Sequence, residues 1–403
     1  MLEIGGVVAG FGVLALLIYR RVDFGKAILI ASAILLVFSE PSISAVYWIW
    51  EITREYETLR LIAIITQVGF LGYIYKDSKQ VMRMIKELRS AFPDRRMVIA
   101  SIPAIFGLMP MPGGALVSAP MIDDEGDRLK LDGVEKTYLN WWFRHIWFTV
   151  YPLSMGLILA SSLSGISIYK IAMFNLPIFA VQIITGVIWG LKKIDVKESK
   201  ESVINPLLLS YELLPIIVAL SLNIVLGIPL YVTLFLAIII LLLQNQEKYS
   251  LKKIPRTFKD GFSIDLLMAA YGIMVFKGII ERTNAVAPVV EGLGNHIPIL
   301  AVVLIASYLI GVLFGHLPGA VGVGFPVVLP LLPVINFQTA SLVFIFIFLG
   351  YFTSPIHLCI ILTIEYFEID LKSFYRRMIV PFSLLVVAVV VWFLISGTFF
   401  LFF

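Results

Sequence analysis

Apolar residues fill this chain in long runs separated by short charged bridges, and the runs have the length of about 20 residues that a helix needs to cross a bilayer. In the first half the pattern predicts helices over about 5–19, 26–46 and 59–75. A basic amphipathic stretch follows from Lys76 to Arg96. An apolar segment at 97–122 is interrupted by Pro110, Pro112, Gly113 and Gly114, a polar loop covers 123–136, and a segment at 138–163 is broken near Pro152. A helix at about 167–191 closes the half. After the polar linker 192–207 the order recurs. Helices are expected over about 208–226, 228–245 and 262–281, then a segment at 297–332 interrupted by Pro318 and Gly319, one at 339–366 broken near Pro355, and a helix over about 374–400.

The recurrence is also visible in residue identity. At an offset of 206, Ile99, Ala100 and Ser101 match Ile305, Ala306 and Ser307, and Pro112, Gly113, Val117 and Pro120 match Pro318, Gly319, Val323 and Pro326. Seven of the 23 positions from Val98 to Pro120 are identical. Chance in so apolar a composition gives about two, so the two halves, 1–195 and 205–403, read as repeats.

Positive charge sets their orientation. If each Pro-Gly segment enters and leaves by one face, that face receives 25 of the 31 Lys and Arg residues, and the other receives Arg54, Arg60, Lys170 and Arg282. If the first segment crosses instead, the loop 123–136 and the linker 192–207 move to the basic-poor face and the asymmetry is lost. The expected fold is therefore an all-α polytopic membrane protein. It has two inverted repeats, each of five transmembrane helices and one re-entrant hairpin (97–122 and 297–332), with both termini outside.

Composition narrows the class further. Hydrophobic residues make up 60% and charged residues 14% of the 403, so little polar surface remains for a soluble module. The Met-Leu-Glu start turns apolar without a basic region or a cleavage site, which reads as a first membrane helix. One cysteine, Cys359, excludes an internal disulfide. No basic tract interleaved with aromatics points to nucleic acid.

Irregular backbone survives at membrane depth only when buried in protein or lining a wet cavity. Two hairpin tips and two broken helices supply four such places, which is the plan of an alternating-access secondary transporter. Hairpin one offers Pro112, Gly113, Gly114, Ala115 and the Ser118 hydroxyl; hairpin two offers Pro318, Gly319, Ala320 and Gly322, with His316 beside them. The breaks offer Tyr151, Pro152 and Ser154 in the first half and Thr353, Ser354, Pro355 and His357 in the second. Hydroxyls beside a proline break suit a cation or a carboxylate, and an intramembrane histidine suits a proton. His145 and His296 read as structural histidines bonding a backbone carbonyl. Arg144, about one turn into its broken segment, is placed either to pair an anionic solute or to snorkel to the membrane face. Asn175 and Asn223 read as interhelical glue. Glu40, Asp265 and Glu365 fall near span ends, which leaves no mid-membrane carboxylate as proton carrier.

The run from Gly107 to Pro120 (GLMPMPGGALVSAP) and the run from Gly350 to Cys359 (GYFTSPIHLC) resemble the signatures of an uncharacterised prokaryotic membrane family in the ion transporter superfamily. That superfamily includes citrate, dicarboxylate and gluconate permeases. The resemblance implies a homodimer in a prokaryotic cell membrane and an elevator-like motion of the hairpin-bearing part. The tips read Met111-Pro-Gly-Gly114 and Leu317-Pro-Gly-Ala320, where the sodium–dicarboxylate branch carries Ser-Asn-Thr, so the motifs specify no substrate. The expected function is secondary transport of a small organic anion, a carboxylate or amino acid, coupled to Na⁺ or H⁺. No cofactor is expected beyond Na⁺ at the tips and breaks, and no catalysis. The competing readings are a channel and an intramembrane hydrolase; the His-Glu-x-x-His pattern of a metalloprotease is absent.

Overall fold

Helices account for all regular structure among the described residues of the computed structural model, which are 2–20, 22–39, 44–109, 114–192, 194–195, 206–250, 252–283 and 297–402. Pro112, Gly113 and His296 lie outside them. Four helices are long and apolar enough to cross a membrane, and two bent helix pairs raise the number to as many as six. The chain is thus a multi-pass membrane protein by helix length and composition.

The first half begins with α1 (Leu2–Tyr19), α2 (Phe24–Ser39), α3 (Ser44–Arg54) and α4 (Tyr56–Asp77). Of the second span expected over 26–46, the described residues show helix up to Ser39 and again from Ser44, and 40–43 lie outside them. Then come α5 (Gln80–Ala91), α6 (Arg95–Leu108), α7 (Gly114–Arg128), α8 (Gly133–His145) and a 3₁₀ turn, Ile146–Thr149. After the break come α9 (Met155–Ser164), α10 (Ile168–Phe174) and α11 (Leu176–Gly186). The axis turns by 116° between α9 and α10, so the two do not form a straight span.

The second half holds α12 (Pro206–Leu226), α13 (Leu230–Gln244), α14 (Ile254–Gly261) and α15 (Ile264–Thr283). It continues with α16 (Ile299–Phe314), α17 (Leu317–Val328), α18 (Phe337–Thr353), α19 (Leu358–Tyr366) and α20 (Leu371–Ile395). The turn between α16 and α17 differs from expectation. It falls at Gly315, whose φ is +54°, and not at Pro318-Gly319. Pro318 instead sits in the first turn of α17, where a helix has no use for its missing N–H.

Packing pairs correspond between the halves. α6 packs on α8 as α16 packs on α18, and α1 on α2 as α12 on α13. Across the halves, α2 packs on α15 as α13 packs on α4, and α7 on α19 as α17 on α9. The close approach of α6 to α8 has a counterpart as well. A Cβ on Gly107 would collide with the Arg144 carbonyl oxygen, and one on Gly311 would collide with the Ile347 carbonyl oxygen. Only glycine lets these backbones approach so closely.

Ion pairs tie one end of the bundle together. Arg95, at the start of α6, meets Glu125, near the end of α7, at 3.3 Å, so this hairpin opens and closes at the same end. Arg89 bridges to Asp124 and Glu125, Arg83 to Glu212, Lys248 to Asp77 and Arg377 to Glu135 at that end. The exit of the second hairpin lies elsewhere. Pro326, Leu329 and Pro330 share a cavity with Glu57 and Arg60, at the opposite end of α4 from Asp77.

Candidate functional site

Each interruption arises from local sequence. Pro152 follows the 3₁₀ turn and prevents α8 from continuing into α9. Ser354-Pro355 ends α18, because the residue before a proline avoids helical backbone; Ser354 has φ −62° and ψ 130°. Gly315 closes α16 in left-handed backbone.

The interruptions meet around one cavity of about 270 Å³. Its wall takes Gly107–Met109 from the end of α6 and Tyr151, Leu153 and Ser154 from the first break. Gly315–Pro318 come from the second hairpin, and Tyr351, His357, Leu358 and Cys359 from the second break. Three helices, α9, α17 and α19, start on this wall, at Met155, Leu317 and Leu358. The starts of α9 and α17 interlock: a Cβ on Gly156 would meet Leu317 Cδ2 at 2.8 Å.

Arg144 is also on the wall and connects it to the start of α7, because its guanidinium lies against Gly114. It is 5% exposed. The helix begins at Gly133, earlier than the apolar run indicates, so Arg144 stands three turns in, about 16 Å along the axis, with its side chain on the cavity wall. The described lining holds this guanidinium and no Asp or Glu.

Other expected residues divide into two groups. Tyr151, Ser154, His316, Pro318 and His357 line the cavity. His316 caps α17, its Nδ1 accepting from the Gly319 N–H at 3.3 Å. Gly114 lies behind Arg144, and Gly319, Ala320 and Gly322 are buried inside α17, with Ile273 at the Gly322 contact. Ala115 and Ser118 lie inside α7. Ser118 donates to Asn140 Oδ1 at 2.6 Å, and Ser354 donates to the Val312 carbonyl at 2.6 Å. Thr353 donates to the Leu349 carbonyl at 3.0 Å. Ser118 and Ser354 thus tie helices together, Thr353 does so through the Tyr308 hydroxyl at 3.0 Å, and all three stand off the wall, as do Pro152 and Pro355. Asn175 bridges helices, donating to the Thr149 carbonyl at 2.9 Å and accepting from Ser341.

Sequence reasoning left out of the site three residues that the structure puts in or behind its wall. Tyr351 packs against His357 with the rings tilted and their centroids 4.1 Å apart. His145 packs edge-on to His357 at 4.8 Å, and its Nε2 is 3.1 Å from the Tyr351 hydroxyl. Cys359, two residues beyond His357, faces the cavity. Only the presence of two histidines and a cysteine near the breaks could have signalled them.

The family described as "Protein of unknown function (DUF401)" matches residues 7–396. The chain belongs to this family. The match runs through both hairpins, both breaks and Arg144, so the whole cavity wall lies within the family region. No curated protein matches the sequence.

Proposed function

We propose that this DUF401 protein is a secondary transporter of a small organic anion, working by alternating access around the cavity at the four interruptions. The observation that carries the reading is the electrostatic make-up of that cavity. Three helix N-termini open on it, and its described lining has one guanidinium and no carboxylate. Each helix N-terminus is equivalent to about half a positive charge and offers unsatisfied N–H groups. A guanidinium–carboxylate pair at 4 Å contributes about 4 kcal/mol at an effective dielectric constant of 20, against about 0.3–1 kcal/mol per helix end. Arg144 therefore supplies most of the attraction, and the helix ends orient the solute.

The finer architecture in this proposal is two inverted repeats, each of five transmembrane helices and a re-entrant hairpin. It is supported by the matching packing pairs and by the opening of the two hairpins toward opposite ends of α4. Coupling to Na⁺ or H⁺, an elevator-like motion, a homodimer in a prokaryotic membrane and termini on the outer face belong to the same proposal. They rest on the charge asymmetry and the family resemblance. The hydrolase alternative has less support, because Ser118 and Ser354 donate to Asn140 and Val312 and not to a histidine.

The test is a thermal-shift screen of detergent-purified protein against organic acids and amino acids, with Arg144→Gln in parallel. A solute that binds the folded state raises the melting temperature according to its occupancy. A carboxylate is expected to stabilise the wild type and not the variant. Failure of every anion, or equal shifts in both proteins, would sink the reading.

A further inference from the structure

Behind the Tyr351 side of the cavity three metal-ligating side chains come together from two halves of the chain. One ligand atom each of His145, His357 and Cys359 lies within 4.8 Å of the other two. His145 and His357 are 0% and 1% exposed. We propose that these three residues form a binding site for a borderline-soft transition ion of the Zn²⁺ or Co²⁺ kind, with the fourth position open toward the cavity.

Three observations lead there. The first is the state of His145. Its Nδ1 is 2.6 Å from the Trp141 carbonyl, an acceptor only, so the Nδ1 proton is held there and the Nε2 lone pair points away. This is the second-shell arrangement that fixes a ligating histidine in its tautomer. Nε2 now meets the Tyr351 hydroxyl, which can rotate and give way. The second is His357, whose two ring nitrogens are buried with no well-formed hydrogen bond among the described residues, the Phe352 backbone being near the ring. A buried polar group left without a partner costs about 1–3 kcal/mol, and a metal bond would remove that cost. The third is the donor set itself. Two imidazoles and a thiolate favour Zn²⁺, Co²⁺ or Cu⁺, whereas Na⁺, Mg²⁺ and Ca²⁺ prefer oxygen.

The fit needs a small adjustment. Bonds of about 2.0–2.3 Å in a tetrahedron put ligand atoms about 3.5 Å apart, so the three would close by about an ångström. His357 and Cys359 flank the start of α19, where one rotamer change each supplies the movement. Coordination releases the thiol proton to the cavity and changes no oxidation state. Arg144 on the same wall repels a dication, and the thiolate charge offsets half of it. This proposal is independent of the transport reading, because its test measures binding by the resting protein.

The experiment uses tag-free full-length protein in detergent titrated with Co²⁺. Cys359 is the only cysteine in the chain, so a thiolate-to-cobalt charge-transfer band can arise from no other residue. The expected result is such a band saturating at one Co²⁺ per chain, and its bleaching by Zn²⁺. Cys359→Ser should abolish the band, and His357→Gln should weaken binding by at least about tenfold. Both variants should elute at the wild-type position in size exclusion. Wild-type protein with no band, or a His357→Gln protein with unchanged affinity, would overturn the site.

Discussion

The guanidinium of Arg144, from α8, lies against Gly114 of α7, so that α7 and the broken helix of the first half meet at this charge. A side chain at position 114 would occupy the space the guanidinium fills. Gly114→Ala should therefore displace Arg144 while leaving the fold in place. Anion-induced stabilisation is expected to fall by at least about tenfold in apparent affinity, the equivalent of 1.4 kcal/mol. The melting temperature without solute should change little. An anion affinity equal to wild type would show that the contact is only packing.

Arg144→Lys separates charge from shape. Lysine keeps the charge but lacks the planar fork that binds a carboxylate through two parallel hydrogen bonds. Weakened anion binding is expected for Lys and complete loss for Gln, where truncating a buried charge partner costs about 2–5 kcal/mol. Calorimetric titration of the same solute against both variants distinguishes them. Equal behaviour of the two would remove the bidentate geometry from the account.

Gly315 carries the turn of the second hairpin in left-handed backbone, and a Cβ there would also press on the Ile356 backbone at 2.9 Å. Strain of about 1–3 kcal/mol is expected for Gly315→Ala. Thermal unfolding in detergent should show a lower midpoint. A midpoint unchanged from wild type would mean that the hairpin relaxes without cost.

Asp94 caps α6 outside the apolar core, accepting from the Arg96 N–H at 2.8 Å. Its carboxyl is held below the usual range chiefly by the hydrogen bond from the Arg96 side chain, with burial opposing and the backbone N–H adding to the effect. A lowered carboxyl contributes stability that is present above its unfolded value of about 3.9 and is lost as the pH falls below that. Asp94→Ala should thus cost about 0.5–2 kcal/mol at pH 7 and progressively less below about pH 4. Melting temperatures of both proteins across that range read the difference; a gap that persists undiminished at pH 3 would contradict the linkage.

Topology can be read by labelling. In a Cys359→Ser background, cysteines placed at the exposed positions Ser90 and Lys130 flank the first hairpin, and one at exposed Ile335 follows the second. Impermeant maleimide should label Ser90→Cys and Lys130→Cys from one side of the membrane and Ile335→Cys from the other. Labelling of the first two from opposite sides would mean that the first hairpin segment crosses.

The sequence by itself determined the membrane class, the helical content and the places where helices stop. Each of these is local. Apolar runs leave no alternative solvent, and proline and left-handed glycine interrupt a helix wherever they fall. Pro152 and Pro355 marked their breaks correctly for this reason. The turn at Gly315 was missed because Pro318, the stronger signal, is compatible with the first turn of a helix.

The tertiary structure alone decided which side chains face the cavity. Ser118, Thr353 and Ser354 carry suitable hydroxyls, but helix rotation turns them toward Asn140, Leu349 and Val312. Arg144 gave two readings because its depth depends on where α8 begins, and that start lies in polar sequence before the apolar run. His145 meets His357 and Cys359 across more than 200 residues of chain, through packing of α8 on α19. Pro152 and Pro355 therefore fixed where two helices break. Long-range packing fixed what the breaks enclose, because the direction of a side chain follows from the neighbours its helix packs against and not from the residues beside it in sequence.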